Sequence, residues 1–402
     1  MVMQYDFTSV IDRRGKDALA VDLLAMPGSI PPGKTDPEFD RIPMWVADMN
    51  FPTVPAVQRA ITGRTAHPMF GYFVPRQEYY RSIIRWQQDR NDVTGLEKQH
   101  IGYENGVLGG VVSALRVLCS PGDNVMVHSP TYVGFTATLE NNGFHIVHSP
   151  LVRDEEGIWR MDYADMEEKI RRNHIHAAIF CSPHNPTGRV WEREELEQAM
   201  DICRRNDVWV ISDEIWSDLV LEGKHIPLQS VNEDARNRTA AFYAPSKTFN
   251  LAGLVGSYHI IYNRWLRDRI RKESSLSHYN NMNVLSMYGL IGAYSQEGRE
   301  WLEQLLPVLR GNRDLALRYL AEVPGVQVMK PQGTYMLFLD CGEWCRSRDI
   351  SIRELQSRGV RYGVIWQDGT RFGGDYTIRM NLASPASRVE EAFRRLRKYV
   401  FV

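Results

Sequence analysis

Lys247 stands just past the apolar run AAFYAPSK, with Ser246 before it and Gly253 and Gly256 soon after. Partial desolvation at such a place lowers an amine's pKa and leaves it neutral, able to attack an aldehyde. Asp213 in ISDEIW closes the preceding apolar run, and a buried carboxylate needs a cationic partner, which a pyridinium nitrogen would supply. A third group, SPHNPTGRVW, forms a turn through Asn185, Pro186, Thr187 and Gly188, and the Asn185 amide can donate to a phenolate oxygen. Each has a plainer reading: an exposed loop lysine, a helix-capping aspartate and ordinary turn chemistry. The residues taken singly leave both readings open.

The elements around these groups follow from hydrophobic pattern. NVMVHSP (124–130), AAIFCSP (177–183), VWVISDE (208–214), AAFYAPSK (240–247) and SYHIIY (257–262) read as strands. They are apolar nearly throughout, which belongs to a sheet covered on both faces and implies a mostly parallel α/β layer. Between them, residues 192–206 place Leu196, Met200 and Cys203 on one helical face and charges on the other. Polar residues at strand ends sit where open parallel sheets gather their ligand sites. The first fifty residues, rich in Pro and Gly, read as an extended arm. From about residue 290 the pattern changes to a long helix with a kink expected at Pro307. The strand-like runs VQVMK, YMLFLD and YTIRMNLA follow, and then a closing basic helix over 388–399. That is a separate α+β unit.

NPTG, SDEI, SKTFN and IRMN, in this order and spacing, resemble the signatures of fold-type I enzymes of the aminotransferase class I/II superfamily, which carry pyridoxal 5′-phosphate (PLP). FTSVIDRRGKDALAVD, PMWVADMNF, FGYFVP, SPHNPTGRVW and APSKTFNLAGL are similar to segments of the carbon-sulfur lyases known as MalY/PatB-type cystathionine β-lyases. The likeness covers nearly the whole chain. It implies a large domain with a mixed, mostly parallel seven-stranded sheet between helices, plus a smaller α+β domain. The implied division is residues 1–50 as arm and part of the small domain, 51–290 as the cofactor domain and 291–402 as the small domain.

The resemblance also assigns roles. Lys247 becomes the Schiff-base lysine and the proton carrier between Cα and the leaving group. Asp213 faces the pyridine nitrogen, Asn185 bonds the ring 3-oxygen and Tyr132 in SPTYVGF stacks on the ring. Gly106, Val107 and Leu108 in ENGVLGG open a helix over 107–118 whose N-H groups hold the phosphate, with Ser246 as a second donor. Tyr72 in FGYFVP reaches the phosphate of a neighbouring subunit, so a homodimer is expected. Arg379 in YTIRMNLA forks onto the substrate α-carboxylate, and the backbone nitrogen of Ala47 meets the same group. Two positions depart from the wider superfamily: Trp216 stands where a tyrosine is usual, and Val255 where aminotransferases carry a phosphate-gripping arginine. The second departure favours the lyase branch. The implied reaction is α,β-elimination on an L-cysteine thioether or S-oxide, giving a thiol or sulfenate, pyruvate and ammonia. An aminotransferase and a PLP-binding regulatory protein are the alternatives. Trp45, Trp366 and Tyr335 are expected around the substrate, while Arg361 and Arg371 fit solvent better than an acidic leaving group.

The chain has 402 residues, long enough for two domains, with 43% hydrophobic and 24% charged residues. A formal net charge of -1 offers no bulk attraction to nucleic acid or anionic lipid. The five cysteines sit mostly in apolar runs, as reduced buried thiols do, and no metal site is expected from Cys341 and Cys345. No stretch approaches the length of a membrane span, and a cytoplasmic enzyme acting on a small amino acid is expected.

Overall fold

The computed structural model describes residues 3–26, 33–276 and 278–402. Part of the expected arm, residues 27–32, lies outside them. The main sheet has eight strands: β1 (Ile101–Glu104), β2 (Asn124–Ser129), β3 (His145–Arg153), β4 (Trp159–Met161), β5 (Ala177–Cys181), β6 (Trp209–Asp213), β7 (Thr239–Tyr243) and β8 (Ser257–Ile260). Their spatial order is β1-β8-β7-β6-β5-β2-β3-β4. The five strands from β7 to β3 run parallel, while β1, β8 and β4 pair antiparallel with their neighbours. The eighth strand beyond the expected seven is the three-residue β4, which extends the edge at β3. β5 and β7 are buried along their whole length, which explains their unbroken apolar sequence.

Helices lie against the sheet. The helix Arg193–Arg205 starts with a capping box between Glu192 and Glu195 and buries Leu196, Met200 and Cys203, matching the expected face. The helix Val107–Leu118 approaches β7 so closely that a Cβ on Gly110 would lie 2.4 Å from the Phe242 ring, so only glycine fits there.

A second, antiparallel sheet is built from β9 (Gln327–Val328), β10 (Met336–Asp340), β11 (Gln367–Asp368) and β12 (Thr377–Asn381), in the order β9-β10-β12-β11. Ile42–Pro43 pairs in parallel with Val364–Ile365, so the end of the N-terminal arm joins this part of the chain. The helix Gln296–Leu320 runs unbroken with Pro307 inside it. Its first half, with Trp301, Leu302 and Leu305, packs with Phe51, Trp86 and Phe249. Its second half, with Ala316 and Leu320, packs with Leu337, Leu339 and Trp344. One rigid rod thereby fixes the second sheet relative to the first. No helix among the described residues is long and apolar enough to cross a membrane.

Candidate active site

The parallel strands β2, β5, β6 and β7 all end at one edge, and a cavity of about 490 Å³ opens there. Lys247, Asp213, Asn185, Tyr132, Gly106, Val107, Leu108, Ser246, Arg379 and Ala47 all line it. Asp213 ends β6, Asn185 follows β5, Lys247 follows β7 and Tyr132 follows β2, while Arg379 comes across from the middle of β12. The carboxyl ends of parallel strands leave their loops free to converge on a ligand. Tyr72 stands apart, fully exposed on the segment between the helices Pro55–Thr65 and Gln77–Asn91, beside exposed Phe70 and Val74.

The lysine is held from two sides. Thr248, next to it, donates through Oγ1 to Oδ2 of buried Asp218 at 3.0 Å, and Trp86 Nε1 donates to the other oxygen at 3.0 Å. Lys247 Nζ donates to the Ala47 carbonyl at 2.9 Å and lies 5.7 Å from the centre of the Trp216 ring. Burial first, then the Arg379 cation, pushes its pKa down to about 8, against the opposing pull of Asp48 and Asp213.

Asp213 is 3% exposed, and its carboxylate accepts one hydrogen bond among the described residues, from the Ile215 N-H at 3.1 Å. Burial raises its pKa to about 7, although that bond and Lys247 both oppose the rise. Arg379 is equally buried. It donates to Asn185 Oδ1 at 3.0 Å, to Gln367 Oε1 and to the Trp45 carbonyl at 3.5 Å, and its guanidinium lies 4.6 Å from the Phe372 ring. Its Nε has no partner among the described residues, and burial lowers its pKa to about 10. Among the described residues neither Asp213 nor Arg379 forms an ion pair. A buried carboxylate without a cation and a buried guanidinium without a carboxylate are costly unless a ligand completes them.

The other end of the cavity suits an anion. Gly106 has φ +92°, a backbone region that favours glycine, and the helix it opens carries no side-chain cap, which leaves first-turn N-H groups free to donate. The loop is pinned from behind. Glu104 is engaged by His259 Nδ1 at 2.6 Å and by Asn280 Nδ2 at 2.7 Å, and Asn280 Oδ1 in turn accepts the Asn105 N-H at 2.7 Å. Tyr279 donates to the Asn105 carbonyl at 2.8 Å.

The Ala47 carbonyl accepts from both Lys247 and, at 3.0 Å, Tyr335 Oη, while its N-H, the group expected to meet the substrate carboxylate, has no partner among the described residues. Two expectations change. Trp366 packs in the second core, where its ring fills the space over Gly359, and does not line the cavity. Tyr335 sits behind the wall, edge-on to Trp216 at 4.8 Å. Trp45 does line the cavity, and Arg361 and Arg371 face solvent. Gln367 and Leu19 are lining residues that sequence reasoning missed. Gln367 pairs with Arg379 across two strands and carries no motif of its own.

Residues 44–396 match the family model described as aminotransferase class I and II, and the chain belongs to that family. It is 35% identical over 363 residues to cystathionine beta-lyase PatB of Bacillus subtilis, covering 89% of this chain and 92% of that one. Among solved structures, the PLP-bound C-S lyase of Staphylococcus hominis is 30% identical with a TM-score of 0.89, over 100% of this chain and 99% of that one. Cystalysin of Treponema denticola, which contains pyridoxal 5′-phosphate, is 29% identical with a TM-score of 0.90 over 98% of both chains. The donor set here fits that group. It offers an amine, an acid lacking a cation at one wall, and an uncapped helix start at the other end.

In protein freed of any cofactor, labelling of Lys247 by cyanate, followed by peptide mass spectrometry, is expected to rise with pH around a midpoint near 8, because only the neutral amine reacts. Arg379→Ala removes a cation that disfavours the charged amine and is expected to move the midpoint upward. A wild-type midpoint near the ordinary lysine value of 10.5 contradicts this assignment.

Proposed function

We propose that the chain is a PLP-dependent carbon-sulfur lyase performing α,β-elimination on an L-cysteine thioether or S-oxide, with thiol or sulfenate, pyruvate and ammonia as products. The observation that carries the reading is an amine of depressed pKa in the field of a buried acid and a buried guanidinium, neither of which forms an ion pair among the described residues. The names of its relatives point the same way. Bound PLP supplies an electron sink for the charge left when Cα loses its proton.

The chain's own residues do the rest. Arg379, its fork fixed by Asn185 and Gln367, binds the α-carboxylate. Lys247 takes the Cα proton at Nζ and returns a proton to the departing sulfur. Asp213 holds the ring nitrogen cationic, Asn185 keeps Nδ2 to donate to the ring oxygen, and Tyr132 covers the ring face. Gly106, Val107, Leu108 and Ser246 bind the phosphate. In the balance, the Cα-H and Cβ-S bonds break and a Cα=Cβ bond forms. Water then converts 2-aminoacrylate to pyruvate and ammonia.

The same reading includes a homodimer in which Tyr72 completes the neighbouring site, supported by its full exposure on an apolar segment. It also includes the division into arm, cofactor domain and small domain, with the helix Gln296–Leu320 as bridge, and residence in a reducing cytoplasm, supported by the free cysteines.

Holoenzyme given an S-alkyl-L-cysteine is expected to release pyruvate with no keto acid present, and Lys247→Ala to reduce the rate by about 10²–10⁴-fold or more. Turnover that requires a keto acid contradicts the lyase reading. Mixing Lys247→Ala protein with Tyr72→Ala protein is expected to restore activity above either alone, because one site of each mixed dimer regains both residues. No restoration after verified subunit exchange contradicts the role of Tyr72.

A further inference from the structure

The cavity lining is polar where Asn185 and Gln367 meet Arg379. Leu19, Trp45 and Trp216 supply an apolar wall, and the only charged residues among the described lining are Lys247, Asp213 and Arg379. All three are committed under the proposed function. Of the charged arm residues near this wall in sequence, Asp48 is held by Arg13 at 2.6 Å, Arg14 pairs with Asp12 at 2.8 Å, and Lys16 and Asp17 are exposed and outside the lining. A substituent ending in a second ammonium and carboxylate, as in cystathionine, would therefore find no uncommitted charged partner among the described lining. An alkyl or aryl substituent would instead gain from burial.

The wall is also fixed in place. Trp45 Nε1 donates to the Ala20 carbonyl at 3.0 Å, which ties the short helix Leu19–Asp22 to the cavity mouth. The Trp45 carbonyl accepts from Arg379, so this face adjoins the bound amino acid and not the phosphate end at Gly106. Leu19 is 56% exposed and forms the outer lip.

We propose that the sulfur substituent of the substrate is an uncharged alkyl or aryl group, selected by Leu19, Trp45 and Trp216, and not a second amino-acid head. This rests on the elimination reading above and narrows its substrate class. The leaving group is then an uncharged thiol once Lys247 has returned its proton, or a sulfenic acid from an S-oxide.

The test separates the two claims by using carbon analogues that cannot eliminate. Holoenzyme is titrated with L-norvaline, L-norleucine and L-2-aminoheptanoate, and with L-2-aminoadipate and L-2-aminosuberate, whose chains end in carboxylate. Binding is read from the change in visible absorbance. Affinity is expected to rise about two- to fourfold with each added methylene and to be about tenfold or more weaker for a diacid than for the apolar chain of similar length. Leu19→Arg places a cation at the lip and is expected to improve diacid binding about two- to fivefold. Diacids that bind as tightly as the apolar series, or no response to Leu19→Arg, overturn the proposal. Pyruvate release from the matching S-alkyl-L-cysteines and from L-cystathionine reports on elimination independently of that ranking.

Discussion

That neither Asp213 nor Arg379 forms an ion pair among the described residues is the constraint around which the rest of the molecule is arranged. Each costs several kcal/mol to bury unpaired, and left to themselves the two side chains would pair with each other or reach water. The fold forbids both. Asp213 is fixed at the end of a buried parallel strand, and Arg379 in the middle of a strand in a different sheet, with its fork occupied by Asn185, Gln367 and the Trp45 carbonyl. Lys247 lies in the field of both, and desolvation at that place makes its amine usable near neutral pH.

Holding a residue of the second sheet against the first requires stiffness, and two features supply it. The helix Gln296–Leu320 enters both apolar cores. The arm segment 45–48 is clamped between the sheets: Asn381 Nδ2 donates to the Val46 carbonyl at 2.7 Å, and Lys247 and Tyr335 both donate to Ala47. The anion end is secured by a separate set, buried Glu104 and His259 with half-buried Asn280, which orients the loop at that end. The stability invested in these contacts leaves the reacting groups with unmet demand, which is how a preorganised site differs from a core.

Much of this was legible in the sequence, for a physical reason. Strands buried on both faces are written as apolar runs, and the polar residue that ends each run is where the chain leaves the sheet. Asp213 ends such a run, Asn185, Tyr132 and Lys247 lie in the loops that follow such runs, and the helix Val107–Leu118 begins where the family resemblance implied. The remainder was hidden because it depends on contacts between distant residues. β3 buries only Ser149 and Leu151 and carries no continuous apolar signal, and β4 is too short to show one. Gln367 meets Arg379 only through strand pairing, and the Glu104-His259 contact joins residues 155 positions apart. Trp366 shows the converse error: a large aromatic in a loop-rich segment suggests a pocket wall, yet its size made it core.

The account stands most directly on the amine of Lys247 being the atom that binds the cofactor aldehyde. Borohydride reduction of the PLP-loaded protein, followed by proteolysis and peptide mass spectrometry, is expected to place the phosphopyridoxyl mass on the Lys247 peptide alone. The label on a different lysine, or none on any, would contradict it.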